Sequence, residues 1–316
     1  MSFAKDAKNQ ILKNQINKNC CSKAFLSGVF YVSGEYDEKE NVLSFTTDIP
    51  QLHDYCNKII KSCYGDTLSF SMSSEFKINT TTYYRIKCPP EQTEELMNDL
   101  GLFDEFGEFN KRKINDKVVK EECCIRAFVK GVFVGCGTSG IRLSEKQEEK
   151  TSSGYDIEFI ARSRSFLLDF SSLLAQFDIT SRITKRRSSF VLYIKESAMV
   201  CDLLALVEAY DSVLQLQNEL AIRELRNKVN RQTNCMSANI NKTVEASMKQ
   251  IEAIQTVIDE VGLESLSYDL QEVALLRLAN PEESLGELLN LATFPITKSG
   301  LNHRLNKIIK IANQLK

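Results

Sequence analysis

The sequence predicts an α+β protein: a duplicated αββαββα domain with pseudo-two-fold symmetry, a helical linker, and an all-α C-terminal helix-turn-helix domain. Three observations carry this prediction: a fifteen-residue segment that recurs at a constant offset, matching strand and helix periodicities after each copy, and a capping box ahead of an acid-free terminal helix. A length of 316 residues suits two domains of about 150 residues each. The expected boundaries are 1–210 for the duplicated domain (halves 1–110 and 111–210), 211–262 for the linker and 263–316 for the helix-turn-helix domain.

The repeat comes first. Residues 20–34 read CCSKAFLSGVFYVSG and residues 123–137 read CCIRAFVKGVFVGCG, identical at eight of fifteen positions. Self-similarity at a fixed period signals a repeated structural unit, and two copies suit a pseudo-two-fold domain. After the first copy, 41–49 alternates as a strand, 51–63 is spaced as a helix, 67–76 and 81–88 read as a hairpin, and Pro89-Pro90 opens a helix through Leu100. After the second copy come a strand at 154–162, a helix at 165–177, strands at 179–187 and 189–195, and a helix from about Ser197 to Ala209. Gly28 and Gly131 fall in mid-helix, where glycine costs about 1 kcal/mol relative to alanine. Close approach of two helix backbones is the usual compensation.

Composition bounds the function. With 43% hydrophobic and 26% charged residues the chain can bury a core. A net charge of −2 means that any nucleic-acid binding rests on local clusters. Two histidines, His53 and His303, exclude His-rich metal centres. No apolar run approaches a membrane span, the N-terminus lacks a continuous apolar segment, and ten cysteines suit free thiols in a reducing cytosol. The expected location is therefore cytoplasmic, with no membrane partner.

The paired helices resemble the LAGLIDADG motif of homing endonucleases, and the chain as a whole resembles the WhiA family of bacterial transcription and cell-division regulators. The resemblance rests on both CC-initiated helices, the run RNKVNRQTNCMSANINKTVEAS at 226–247 and KSGLNHRL at 298–305. It implies a degenerate LAGLIDADG-like domain, and a role in transcriptional control, sporulation, cell division and chromosome segregation. In active LAGLIDADG enzymes an acidic residue near the end of each motif binds a divalent metal. Hydrolysis of a phosphodiester needs such hard oxygen ligands. Here Ser33 and Cys136 stand at those degenerate metal positions, and neither supplies a carboxylate. Glu35 is the one nearby acid in the first half; Thr138 occupies its place in the second. The expectation is a scaffold with no catalytic residues, no metal and no cofactor. The rival reading is an active metal-dependent homing endonuclease, which would need carboxylates at both positions.

Other motifs fail on context. Residues 135–140 match G-x-G-x-x-G, but the run leaves a helix and enters the short strand IRL at 141–143, opposite to a dinucleotide loop. The pairs Cys20-Cys21 and Cys123-Cys124 raise zinc or a disulfide. Adjacent cysteines lack the C-x₂-C spacing that wraps a tetrahedral ion, and vicinal disulfides are strained. Buried thiols are the reading taken. Asp104, Glu105 and Glu108 read as a solvated connector between the halves.

The last segment carries the functional reading. Leu266, Leu270, Val273, Ala274 and Leu278 share a helix face, Pro281 ends it, and Ser284-Leu285-Gly286-Glu287 is a capping box. A turn around Thr293–Pro295 leads to a helix from about Lys298 to Leu315, facing inward with Leu301, Leu305, Ile308, Ile309 and Ala312. From Pro295 to Lys316 there are five basic residues and no acid. In a helix-turn-helix the later helix enters the major groove. Lys298, Ser299, Asn302, His303 and Asn306 are assigned to base reading, because asparagine bonds adenine bidentately. Arg304, Lys307 and Lys310 are assigned to phosphates. This DNA-binding reading of the last segment adds association with the nucleoid to the expected location. The alternative is the solvated face of an ordinary amphipathic helix, in a scaffold that binds protein.

Two further clusters have two readings each. Arg223, Arg226, Asn227, Asn230, Arg231 and Asn234 form a polar-basic stripe that either contacts DNA or bonds to the duplicated domain. On the same helices Ile240, Val244, Met248, Ile251, Ile254, Ile258 and Val261 make an apolar stripe expected to pack. Arg182, Lys185, Arg186 and Arg187, with Arg162, Arg164, Tyr83, Tyr84, Arg85 and Lys87, either track a phosphate backbone, meet a protein such as the transcription machinery, or protect strand edges.

Overall fold

The computed structural model describes residues 2–65, 68–78, 81–104, 106–141 and 154–315, and divides into two compact units, Met1–Ala221 and Ile222–Lys316. Glu105, the strand expected at 141–143 beyond Ile141, and Lys316 lie outside the described residues.

The first unit opens with α1 (Phe3–Ile11), which the sequence reading did not assign. Its Phe3, Ala7 and Ile11 recur every four residues and are buried as one stripe. Two equivalent runs follow. The first is α2 (Asn19–Ser33), β1 (Gly34–Asp37), β2 (Val42–Thr47), α3 (Gln51–Tyr64), β3 (Ser71–Ile78), β4 (Thr81–Lys87) and α4 (Pro90–Asp99). The second is α5 (Glu122–Cys136), β5 (Gly137–Ser139), β6 (Ile157–Ala161), α6 (Arg164–Ala175), β7 (Arg182–Arg186), β8 (Ser189–Ile194) and α7 (Ser197–Leu206). Each run forms one antiparallel four-stranded sheet, ordered β1-β2-β4-β3 and β5-β6-β8-β7. The duplication read from the sequence is thus a duplication of topology. The G-x-G-x-x-G run spans the end of α5 and the whole of β5, so it leaves a helix and enters a strand, the reverse of a dinucleotide loop.

Helices α2 and α5 pack along each other at the centre of the unit, and their glycines explain how closely. A Cβ placed on Gly28 would overlap the carbonyl oxygen of Phe128, and one on Gly131 would overlap that of Phe25. The two contacts are reciprocal at the repeat offset, which is the signature of a pseudo-two-fold axis. The flanking Phe25, Phe30, Phe128 and Phe133 are buried, with Phe30 packing edge-on to Phe45 and Phe133 edge-on to Phe159. Each helix of the pair therefore also anchors its own sheet.

The same packing brings the helix N-termini together. Cys20, Cys21, Cys123 and Cys124 place their four sulfurs within 4.8 Å of one another. Only Cys21 and Cys124 are buried; Cys20 is exposed and Cys123 half-buried, so the reading of all four as buried thiols is corrected. The tertiary meeting of two helices supplies what spacing within either pair could not.

One helix, α8 (Tyr210–Val261), covers the stretch read as a linker of several helices. The second unit continues with α9 (Tyr268–Ala279), α10 (Leu285–Leu291) and α11 (Lys298–Leu315). Its core joins Ala253, Ile254 and Val257 of α8 to Leu270, Val273, Ala274, Leu288, Leu301, Leu305, Ile308 and Ala312. The apolar stripe expected on α8 holds at its C-terminal part, where Ile254 is buried, Ile258 packs on the core and Ile251 is half-buried, and is corrected elsewhere: Ile240, Val244, Met248 and Val261 are exposed. The inward face is rotated to Ser247, Gln250, Ala253, Ile254 and Val257, because that is where α9 and α11 supply apolar partners. Arg277 of α9 is 2% exposed and spans the α9–α10 turn, donating to the carbonyls of Asn280 (3.2 Å) and Glu283 (2.7 Å) and to Ser247 Oγ (3.4 Å). All three bonds leave Nη1, while Nε is buried without a partner among the described residues, so one nitrogen ties α9 to the α9–α10 turn and to Ser247 of α8.

Candidate nucleic-acid interface

The three helices that end the chain are built for a defined α10–α11 geometry. Ser284 Oγ accepts from Glu287 N at 3.3 Å while Glu287 Oε2 accepts from Ser284 N at 2.8 Å, closing the expected capping box. A six-residue turn, 292–297, leads to α11, where Thr297 Oγ1 accepts from Gly300 N at 3.1 Å and caps the helix start. The sequence reading did not assign that cap. Leu301, Leu305, Ile308 and Ala312 are buried, which fixes the rotation of the helix.

That rotation sets the opposite face. Lys298, Ser299, Asn302, His303, Asn306, Lys307 and Lys310 are all exposed, at steps of one and three, and so form one continuous polar stripe without an acid. Arg304 stands apart from this set. Half-buried, it makes an ion pair with Asp269 of α9, Nη2 to Oδ2 3.2 Å, and so part of its charge is answered inside the protein. Spacing alone could not reveal this partner, thirty-five residues upstream.

The polar-basic stripe on α8 is also exposed. From Glu224 to Lys242 all side chains face solvent, including Arg226, Asn227, Asn230, Arg231 and Asn234, while Arg223 is half-buried. In the first unit β7 is a sheet edge, and Arg182, Lys185, Arg186 and Arg187 are exposed on it or on its turn. Arg186 is held by Glu158 through two bonds of 2.8 and 2.9 Å. In the other sheet Arg85 Nη2 lies 3.5 Å from Glu35 Oε2. Each sheet thus answers one of its own arginines with a carboxylate, which weakens both as tracks for a polyanion.

The degenerate metal positions sit at the C-terminal ends of α2 and α5. Ser33 Oγ donates to Val29 O at 2.7 Å, within its own helix. Burial pushes the Cys136 thiol up to about 12, opposed by the charge of Lys8. Lys8 is itself buried and its pKa lies below the ordinary lysine value, through desolvation offset by Asp48. Nearby, Lys111 donates to Gly34 O and, with Ser33, Glu35, Arg112 and Arg162, lines a cleft of about 800 Å³. Carboxylates are replaced here by an alcohol and a thiol, and cations stand around them. An alcohol and a thiol are poor ligands for a hard divalent ion, and among the described residues Glu35 is the one carboxylate that lines this cleft.

Comparison with known proteins gives a consistent family. A family model described as WhiA LAGLIDADG-like domain matches residues 125–226, and one described as WhiA C-terminal HTH domain matches residues 229–312. The chain is 32% identical over 318 residues to the probable cell division protein WhiA of Carboxydothermus hydrogenoformans, spanning 100% of this chain and 98% of that protein. It is 34% identical over 324 residues to the probable cell division protein WhiA of Clostridium botulinum strain Hall, spanning 100% and 99%. Among solved structures, full-length WhiA from Thermotoga maritima matches with a TM-score of 0.60 at 22% identity, over 100% of this chain and 99% of that one. No helix among the described residues is long and apolar enough to cross a membrane.

Proposed function

The chain belongs to the WhiA family, and from that premise we propose that it is a sequence-specific double-stranded DNA-binding regulator of transcription without nuclease activity. Its proposed roles are those of cell division, sporulation and chromosome segregation, carried out at the nucleoid. The observation that carries the reading is the exposed, acid-free face of α11, held in a capped three-helix unit. Lys298, Ser299, Asn302, His303 and Asn306 read bases, and Lys307 and Lys310 neutralise phosphates. Arg304 takes a lesser phosphate role because Asp269 already answers its charge. The α8 stripe and the β7 edge are secondary surfaces, for phosphates or for the transcription machinery. The cations around Ser33 and Cys136 support the absence of metal-dependent cleavage.

Salt dependence tests the phosphate assignment. Binding of the full chain to duplex DNA weakens with salt, with a slope of about −0.9 per neutralised phosphate. Lys307→Ala/Lys310→Ala is expected to make that slope shallower by about 2 and to weaken binding to all sequences alike. An unchanged slope and affinity would remove both lysines from the interface.

A further inference from the structure

The four-thiol cluster lies outside the DNA-reading surface, and nothing in the proposed function uses it. We propose that Cys20, Cys21, Cys123 and Cys124 form a tetrathiolate site for a single zinc ion, clamping the N-terminal ends of α2 and α5 across the pseudo-two-fold axis.

Geometry makes the case. Zn–S bonds of about 2.3 Å set tetrahedral thiolates about 3.8 Å apart. The Cys20 and Cys21 sulfurs are 4.0 Å apart, and all four lie within 4.8 Å. Closing onto one ion therefore asks for movements of an ångström or less. A tetrahedron has two-fold axes, and two ligand pairs related by such an axis occupy its four corners. Neither adjacent pair could wrap an ion alone; each now supplies two corners. Iron–sulfur clusters hold their thiolates farther apart, because several atoms lie between them, so the spacing selects a mononuclear ion.

The surroundings suit the charge. Four thiolates on a divalent ion carry a net charge of −2, and both helices aim their positive N-terminal ends at the cluster. Neither helix start has a capping side chain, so first-turn N–H groups remain to donate to coordinated sulfur. Cys20 and Cys124 also line a cleft of about 930 Å³ together with Lys23, Lys113 and Lys117, which gives a solvent route to the sulfurs. Burial and the Cys20 thiol push the Cys124 thiol up to about 12, Cys20 itself lies below the ordinary cysteine value because its slight burial is outweighed by hydrogen bonds from Cys124 and Cys21, and Cys21 donates to Cys123 O at 3.5 Å. Loading replaces up to four S–H protons by four Zn–S bonds and releases those protons to solvent.

The test uses the full, untagged chain, purified with reductant and without chelator. Elemental analysis is expected to find about one zinc per chain, and Co²⁺ in its place is expected to show the intense absorption of tetrahedral cobalt thiolate. Cys20→Ser/Cys123→Ser, truncating the two more accessible ligands, is expected to lose the ion and retain helical circular dichroism. A second readout needs no variant: zinc should shield Cys20 and Cys123 of the wild-type chain from alkylation while exposed Cys235 reacts at the same rate. Reduced wild-type protein that takes up no zinc, unchanged alkylation on loading, or a variant that holds zinc as well as the wild type would each overturn the assignment. So would recovery of a disulfide within the cluster from metal-replete cells.

Discussion

Replacing Gly131 by alanine is expected to lower the stability of the first unit by about 3 kcal/mol, read as a fall in thermal midpoint of roughly 6–12 °C. In a helix this substitution ordinarily gains about 1 kcal/mol, because glycine spends more backbone entropy on folding. Here the added methyl would overlap the carbonyl oxygen of Phe25, and backbone cannot turn aside as a side chain can. The two central helices would have to separate, loosening Phe25, Phe128 and Phe133 together. Gly286 in α10 is the internal comparison. An alanine there meets nothing nearer than Ser284 Oγ at 3.7 Å, so Gly286→Ala is expected to be neutral or to stabilise by up to about 1 kcal/mol. Chemical denaturation of both variants checks the difference in sign. Equal effects at the two positions would mean that the close approach of α2 and α5 does not govern stability.

The second large effect concerns recognition. Asn302→Ala/Asn306→Ala is expected to weaken binding to the preferred duplex by roughly 30-fold or more, since a bidentate side-chain–base pair contributes about 1–3 kcal/mol of discrimination. Both side chains are exposed on α11, opposite Leu301, Leu305 and Ile308, so their truncation should change folding by less than about 0.5 kcal/mol. Binding to unrelated duplexes should barely move, because phosphates dominate that term. Paired titrations against a selected duplex and a scrambled one measure the ratio directly. A uniform loss on both would reassign these residues from bases to phosphates, and no loss on either would remove them from the interface.

The features legible in the sequence were those with local causes. The repeat, the capping box at Ser284 and the 3.6-residue spacing of α11 each depend on residues close together in the chain, and each appears where spacing placed it. Short or seamless elements were harder to read. β1 and β5 begin at the residue after a helix ends, because Gly34 and Gly137 turn straight into extended backbone, so the glycine that ends each helix leaves no intervening loop to mark the strand. α1 is nine residues long, too brief for its stripe to stand out. Tertiary partners were illegible. Nothing in the sequence shows that Arg277 lies buried against carbonyls, that Arg304 answers Asp269, or that two cysteine pairs 103 residues apart meet at one point. The α8 stripe packs at Ile254 and Ile258 but not at Ile240, Val244, Met248 or Val261, for the same reason: which part of an apolar helix is covered depends on where its neighbours lie.

Mapping bound chromosomal sites in cells that carry either the wild-type chain or Asn302→Ala/Asn306→Ala addresses α11 most directly. The wild type should occupy discrete sites that share one duplex motif, and the variant should lose those sites while its protein level is unchanged. The same sites occupied equally by both proteins would place recognition somewhere other than the exposed face of the terminal helix.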